Sequence, residues 1–154
     1  MIRNYTIKDF DACANLYAEA FSSPPWNEPI TVEHAKKRLE WLNKIPDSFA
    51  RIYEKDGEVV GLWFGHLEPL SDGQLLNLKE LAIKPPEQHQ GYGKELMADV
   101  EKTAQEHHCS QIFLWTSTAE HQTGFYEGRG FSKPGDILIM TKGADQFKGA
   151  AAGR

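Results

Sequence analysis

The sequence predicts a single mixed α/β domain, and three observations lead there. Short β-prone runs alternate with segments of helical periodicity along nearly the whole chain. The 154 residues suffice for one well-buried core and are too few for two ordinary domains. In the run Leu81-Ala-Ile-Lys-Pro-Pro-Glu-Gln-His-Gln-Gly-Tyr-Gly-Lys94, a strand, a glycine-containing loop and the start of an amphipathic helix follow one another directly.

Taken in order, Ile2, Tyr5 and Ile7 predict a first strand, with Thr6 or Asp9 capping the helix after it. Phe10, Cys13, Tyr17 and Phe21 recur at helical spacing, so residues 9–21 bury one stripe. Ser22-Ser-Pro-Pro-Trp-Asn27 breaks that helix, because two prolines cannot continue it. Thr31 caps a second helix carrying Val32, Ala35, Leu39 and Leu42, which ends before Pro46. Asp56-Gly57 joins two strands, Phe49–Lys55 and Glu58–Leu67, in a hairpin. A loop at Leu70–Gln74 leads into a strand at Leu75–Ile83. From Gly91 the positions Leu96, Met97, Val100 and Ala104 define a third helix to about Glu106. A strand at Gln111–Thr116, a helix over 120–128 and a last strand at Ile137–Thr141 complete the order β-α-α-β-β-β-α-β-α-β, with room for one more strand. The domain is expected to span residues 1–142, with residues 143–154 a frayed tail. Trp41, Trp63 and Trp115 are expected in core or sheet-packing positions.

The formal net charge of −5 argues against a non-specific nucleic-acid binder, which needs a basic patch. No apolar run approaches the roughly 18 residues that cross a bilayer, and Met-Ile-Arg-Asn-Tyr-Thr at the start lacks a secretory apolar region. Cytoplasm is the expected compartment, with no membrane partner. Cys13 and Cys109 have no metal-type spacing and make no disulfide framework, so no metal is expected.

A strand that feeds a glycine loop opening a helix collects unpaired N–H groups at the positive end of the helix dipole, which is a phosphate site. Two familiar loops fail: Gly91-Tyr-Gly-Lys94 is followed by Glu95 rather than Ser or Thr, and no third glycine completes a dinucleotide fingerprint. What stands there is Q-x-x-G-x-G, as Gln88, Gly91 and Gly93. Downstream comes Gly124-Phe-Tyr-Glu-Gly-Arg-Gly-Phe131.

Together the two motifs resemble those of the GNAT superfamily of acetyl-CoA-dependent N-acetyltransferases. Ile83 to Gly93 is similar to the family's acetyl-CoA motif, and Phe125-Tyr126 through Gly130-Phe131 to its second motif. The resemblance implies a GNAT acyltransferase fold: a mixed, mostly antiparallel sheet splayed between its fourth and fifth strands, flanked by about four helices. It implies a pyrophosphate loop at Gln88, His89, Gln90, Gly91, Tyr92, Gly93 and Lys94. It also implies that Leu81, Ala82 and Ile83 lie along the pantetheine arm, and that Phe125 and Tyr126 stand at the cofactor. Three positions depart from the pattern: Gln88 replaces the commoner arginine, His89 a frequent glycine, and Ala119 an asparagine that touches pantetheine in many relatives. Gly128, read inside the last helix, should cost roughly 1 kcal/mol against alanine.

Acetyl transfer to an amine requires a neutral amine, donors for the carbonyl oxygen and a proton for the departing sulfur. The family's splayed strand points to the Ile83 N–H for the oxygen, and Tyr126 is the expected acid. Glu80, a carboxylate inside an otherwise apolar strand, is the expected base, directly or through water, unless it merely pairs with Lys79, Arg51 or another cation. Candidate acceptor-side residues are Trp26, Glu28, His66 and Asn77, with Glu68 and Asp72 as further acids. Trp26 offers a cation–π wall or simply covers the core end. The expected reaction moves acetyl from acetyl-CoA to a primary amine of a small molecule, releasing coenzyme A. A protein or peptide amine, or a non-catalytic acyl-CoA-binding module, are the alternatives. A homodimer through the C-terminal strands is compatible with the sequence.

Overall fold

The structure, a computed structural model, describes residues 1–152, with side chains through Lys148. Packing groups Met1–Leu114 into one compact unit and the residues from Trp115 onward into a second. The first unit runs β1 (Ile2–Asn4), a 3₁₀ turn at Ile7–Asp9, α1 (Phe10–Ser22), α2 (Val32–Asn43), β2 (Ser48–Lys55), β3 (Glu58–Leu70), β4 (Gly73–Ile83), a second 3₁₀ turn at Pro85–Glu87, α3 (Tyr92–Glu106) and β5 (Gln111–Phe113). The second unit contains α4 (Glu120–Glu127) and α5 (Ala144–Ala152).

The sheet follows chain order, β1-β2-β3-β4-β5, antiparallel except for the parallel β4–β5 pair. At the β2–β3 turn, Asp56 and Gly57 take φ of 52° and 80°, the left-handed pair a two-residue hairpin needs. β5 pairs only with Leu75, Leu76 and Asn77 of β4. Beyond Asn77 the outer edge of β4 therefore meets no strand among the described residues, and the sheet is splayed where the family resemblance places the opening.

Helices α1 and α2 cover one face of this sheet. Cys13, Leu16, Leu39 and Leu42 pack with Ile52, Leu62, Phe64 and Ala82 in a core from which water is excluded. Burial pushes the Cys13 thiol up to about 12, so it behaves as a small apolar side chain. Helix α3 contacts β3, β4 and β5 and buries Leu96, Met97 and Val100. A polar bolt fixes it there: Arg51 grips both oxygens of Asp99, at 3.1 and 3.0 Å, while the Trp63 indole N–H donates to Asp99 Oδ2 at 2.8 Å. Hydrogen bonds to a charged group are worth about 1.5–3 kcal/mol each, so the bolt holds the middle of α3 in fixed register with the sheet.

Several expectations are corrected. Ile7 is not in a strand: the Thr6 N–H and hydroxyl both turn to Asp9 Oδ2, ending β1 and leaving Ile7 exposed. The loop read at Leu70–Gln74 shrinks to a turn between β3 and β4, both longer than expected. The strand at Gln111–Thr116 stops at Phe113. Ile137–Thr141 forms no strand among the described residues; Ile137, Leu138, Ile139 and Met140 are 57–84% exposed. Strand propensity is realised only against a partner edge, and none is paired there. Trp63 is buried, but Trp41 and Trp115 are exposed rather than in the core. Gly128 is the C-cap of α4, outside the helix interior, so the helix-propensity cost does not arise. Apart from these corrections, Ala144–Ala152 forms α5. Among the described residues no helix is long and apolar enough to cross a membrane, and no side-chain cluster could hold a metal ion.

Candidate active site

The loop between β4 and α3 is shaped by its backbone. Lys84 leaves the strand with its N–H bonded to Val60 O at 2.8 Å, and the 3₁₀ turn at Pro85–Glu87 reverses the chain. His89 then takes φ 63° and Gly91 φ 88°. The position where relatives often carry glycine thus has the left-handed conformation that glycine tolerates best, and His89 adopts it at some cost. Among the described residues, the main-chain N–H groups of His89, Gln90, Gly91, Tyr92, Gly93 and Lys94 donate no hydrogen bond. The last four are the ordinary orphans of a helix start; His89 and Gln90 extend the row. A row of unspent amides at a positive helix end can bind the oxygens of a diphosphate.

The loop is braced from the sheet. Lys55 at the end of β2 pairs with Glu87 at 2.9 Å, and Tyr53 packs on the Tyr92 ring with centroids 4.6 Å apart. Gln88, where relatives carry arginine, turns inward, and its Nε2 donates to Ile83 O at 3.1 Å. Its amide is thereby spent on bracing the loop from below.

Amide directions alternate along a strand. With the Lys84 N–H spent on β3, the Ile83 N–H points the other way, toward the splayed edge, as does that of Leu81. The side chain of Ile83 reaches back toward α3, its Cδ1 2.9 Å from where a Cβ on Gly61 would sit. Ala82 is buried on the opposite face, in the α1–α2 core.

Between Glu80 and Asn77 the ladder slips. Phe64 faces Glu80 but Gly65 faces Leu78, so Lys79 is an extra residue in β4, a bulge. Gly65 is required opposite it, since a Cβ there would lie 2.7 Å from the Asn77 carbonyl oxygen. Residues three apart on a regular strand point to opposite faces. The bulge cancels that, and Asn77, opposite His66, joins Glu80 on the side of α1 and α2.

Glu80 is largely shielded there and held by two side chains. The Tyr17 hydroxyl donates to Glu80 Oε1 at 3.0 Å, and Arg38 Nε donates to the same oxygen at 3.0 Å. Burial raises the Glu80 pKa above the usual carboxylate range, opposed by Arg38 and by the Tyr17 hydrogen bond. The Tyr17 phenol is itself pushed up, by burial first and then by the Glu80 charge, and stays a donor. Of the cations considered for Glu80 from sequence, Arg51 is committed to Asp99; the ion-pair partner is Arg38.

The other acceptor-side candidates divide. Tyr17 packs at a tilt against Phe21, with centroids 4.7 Å apart, and Phe21 against Trp26 at 5.4 Å, so Trp26 ends an aromatic row that leads to Glu80. Glu28 is exposed, its main-chain N–H closing the α1–α2 connection on Phe21 O, and its charge acts on the Tyr17 hydroxyl. His66 and Asn77 are buried side by side. Asn77 donates to Glu68 at 2.9 Å and keeps an unpartnered Oδ1. In the second unit, Tyr126 lies in α4 with its ring edge-on to Phe125 and Phe131, and Arg129 caps Phe125 at 4.1 Å. Ala119 is the N-cap of α4. Sequence reading missed Tyr17 and Arg38 as site residues. Tyr17 sat on an apolar stripe and read as core, and Arg38 carried only an amphipathic pattern; the one usable signal was the lone carboxylate at 80, which demands a buried partner.

A splayed sheet with an amide-lined loop at the start of α3 defines a class of fold, and comparison with known proteins agrees. The profile of the acetyltransferase (GNAT) family matches residues 10–131. The chain belongs to that family of acyltransferases. Among curated relatives it is similar to an amino-acid acetyltransferase of Pseudomonas putida, 27% identical over 135 residues that make up 88% of this chain and 28% of the relative. It is also similar to the enzyme of that description from Ectopseudomonas mendocina, 28% identical over 90% of the chain and 29% of the relative. The chain thus spans under a third of the length of these proteins. The fold is shared with a possible acetyltransferase from Clostridium difficile 630, at TM-score 0.79 and 12% identity over 92% of this chain and 96% of that one. A ribosomal-protein-alanine N-acetyltransferase from Brucella melitensis shares it at TM-score 0.71 and 14% identity, over 92% and 98% of the two chains.

Proposed function

We propose that this chain transfers the acetyl group of acetyl-CoA to a primary amine of a small molecule, with both substrates bound together. The observation that carries the reading is the unbroken row of undonated amides from His89 to Lys94, beside a strand edge left open beyond Asn77. Acetyl-CoA supplies an activated thioester. The loop amides hold its diphosphate, and the outer edge of Leu81–Ile83 offers main-chain partners to its pantetheine arm. The Ile83 N–H, aimed at that edge, donates to the carbonyl oxygen as negative charge develops.

Glu80 takes a proton from the incoming ammonium or amine, directly or through water, and its raised pKa brings it nearer the working pH of a base. The N–C bond then forms and the C–S bond breaks. The family resemblance gives Tyr126 the proton transfer to sulfur, so coenzyme A leaves as a thiol. The names of the curated relatives support an amino acid as acceptor. A cytoplasmic setting and a homodimer remain compatible with this reading.

The test is release of free thiol from acetyl-CoA across a panel of amines, with calorimetry of coenzyme A alone. Micromolar coenzyme A binding and amine-dependent thiol release are expected. No heat with coenzyme A would overturn the proposal. Unchanged turnover in Tyr126→Phe would remove the acid role and leave the rest.

A further inference from the structure

We propose that Arg38 and Lys79, which flank the Trp41 indole beside Glu80, form an anion-recognising subsite, and that the preferred acceptors are therefore amines bearing a carboxylate, the α-amino acids. The inference rests on the acetyl-transfer reading and names its substrate class.

Lys79 is the residue the β4 bulge extrudes. Its Nζ lies 5.9 Å from the Trp41 ring centroid, and the Arg38 guanidinium carbon lies 5.2 Å from the same ring. Trp41 is 51% exposed, a costly placement for an indole. Here it gathers two cations that would otherwise repel each other, each drawn to the ring face. Arg38 spends its Nε on Glu80. Its two Nη groups and the Lys79 ammonium make no hydrogen bond or ion pair among the described residues. A guanidinium offers five N–H donors in a planar fork suited to a carboxylate, so the donors left over form an unfilled anion site.

The geometry of an α-amino acid fits this arrangement. Its carboxylate carbon is two bonds from its nitrogen, so an amine presented to Glu80 brings the carboxylate within reach of the guanidinium already bonded to Glu80. Glu80 then faces the ammonium, while Arg38 and Lys79 face the carboxylate. An uncharged amide leaves both cations unspent, and a diamine sets a cation against them.

The experiment compares the common α-amino acids, their α-amides and matched diamines as acceptors, in wild type, Lys79→Met, Lys79→Glu and Lys79→Arg. Each is also titrated by calorimetry against protein saturated with coenzyme A. In wild type the amino acid should exceed its amide in kcat/KM by about tenfold or more, mainly through KM. Lys79→Met should cut that ratio about fivefold and Lys79→Glu about tenfold or more, with Lys79→Arg restoring it. An amino-acid-to-amide ratio near one in wild type, or a ratio unmoved in Lys79→Glu, overturns the subsite. Calorimetry separates this from failure of the catalytic reading. If no amine is acetylated, amino-acid binding that disappears in Lys79→Glu still supports the subsite. Absent or unaltered binding overturns it.

Discussion

The two ends of the open stretch of β4 are built by opposite means. At the Ile83 end the site consists of main-chain groups: outward amides on the strand, then the row from His89 to Lys94, all within one continuous stretch of sequence. At the Glu80 end it consists of side chains that the fold collects from α1, α2 and β4, namely Tyr17, Arg38 and Glu80. A main-chain site tolerates changes of side chain, which is why Gln88 and His89 depart from the family pattern without dismantling the loop. A side-chain site has no such latitude, because each member is the hydrogen-bond partner of another. On the proposed reading, the first kind suits a constant ligand, coenzyme A, and the second a variable one, the acceptor.

Substitutions can break that contrast. The largest effect is expected from Glu80→Gln, which should lower kcat by about 10²–10³-fold while coenzyme A affinity stays within about twofold; a loss of both would mean that the two ends are not separable. The same variant tests linkage. The folded pKa of Glu80 is raised, so its contribution to stability is complete below the unfolded pKa and is lost as pH rises through the folded one. The thermal midpoint of Glu80→Gln relative to wild type should therefore improve from acid toward neutral pH, and a parallel pair of curves would deny that burial governs this group.

Next is Asp99→Ala, which removes the acceptor of Arg51 and Trp63 and should cost about 3 kcal/mol in denaturant unfolding. Gly91→Val follows. It forces a β-branched residue to φ 88° at the start of α3, and should weaken coenzyme A binding about tenfold in calorimetry. By contrast, a side-chain change at Gln90 should leave that affinity nearly intact if main-chain amides do the binding. The smallest readout is the pH profile of Arg38→Gln. Losing the cation while burial persists raises the Glu80 pKa further, so the acidic limb of the rate profile should move to higher pH; a shift to lower pH would show that Arg38 does not act on Glu80 as its position implies.

What could be read from the sequence divides along the same line. The hairpin at Asp56-Gly57, the cap at Thr31 and the strand–loop–helix around Gly91 were legible because each depends on neighbours a few residues away. Glu80 was legible as an anomaly, a charge in an apolar strand. Its partners were not, since Tyr17 and Arg38 are separated from it by 63 and 42 positions and only packing of α1 and α2 on the sheet brings them together. The Ile137–Thr141 run shows the opposite failure: its residues favour a strand, yet a strand exists only where another edge completes its hydrogen bonds.

The sequence by itself determined the local conformations: where helices begin, where the chain must take a left-handed turn, and that amides would cluster before α3. Those outcomes follow from short-range sterics and capping, which act within a few residues. The tertiary structure alone decided the slip at Lys79, which turns Asn77 and Glu80 to one face, and the meeting of Arg38, Trp41 and Lys79. Strand register is set by the summed fit of whole faces against their neighbours, a quantity no local pattern contains.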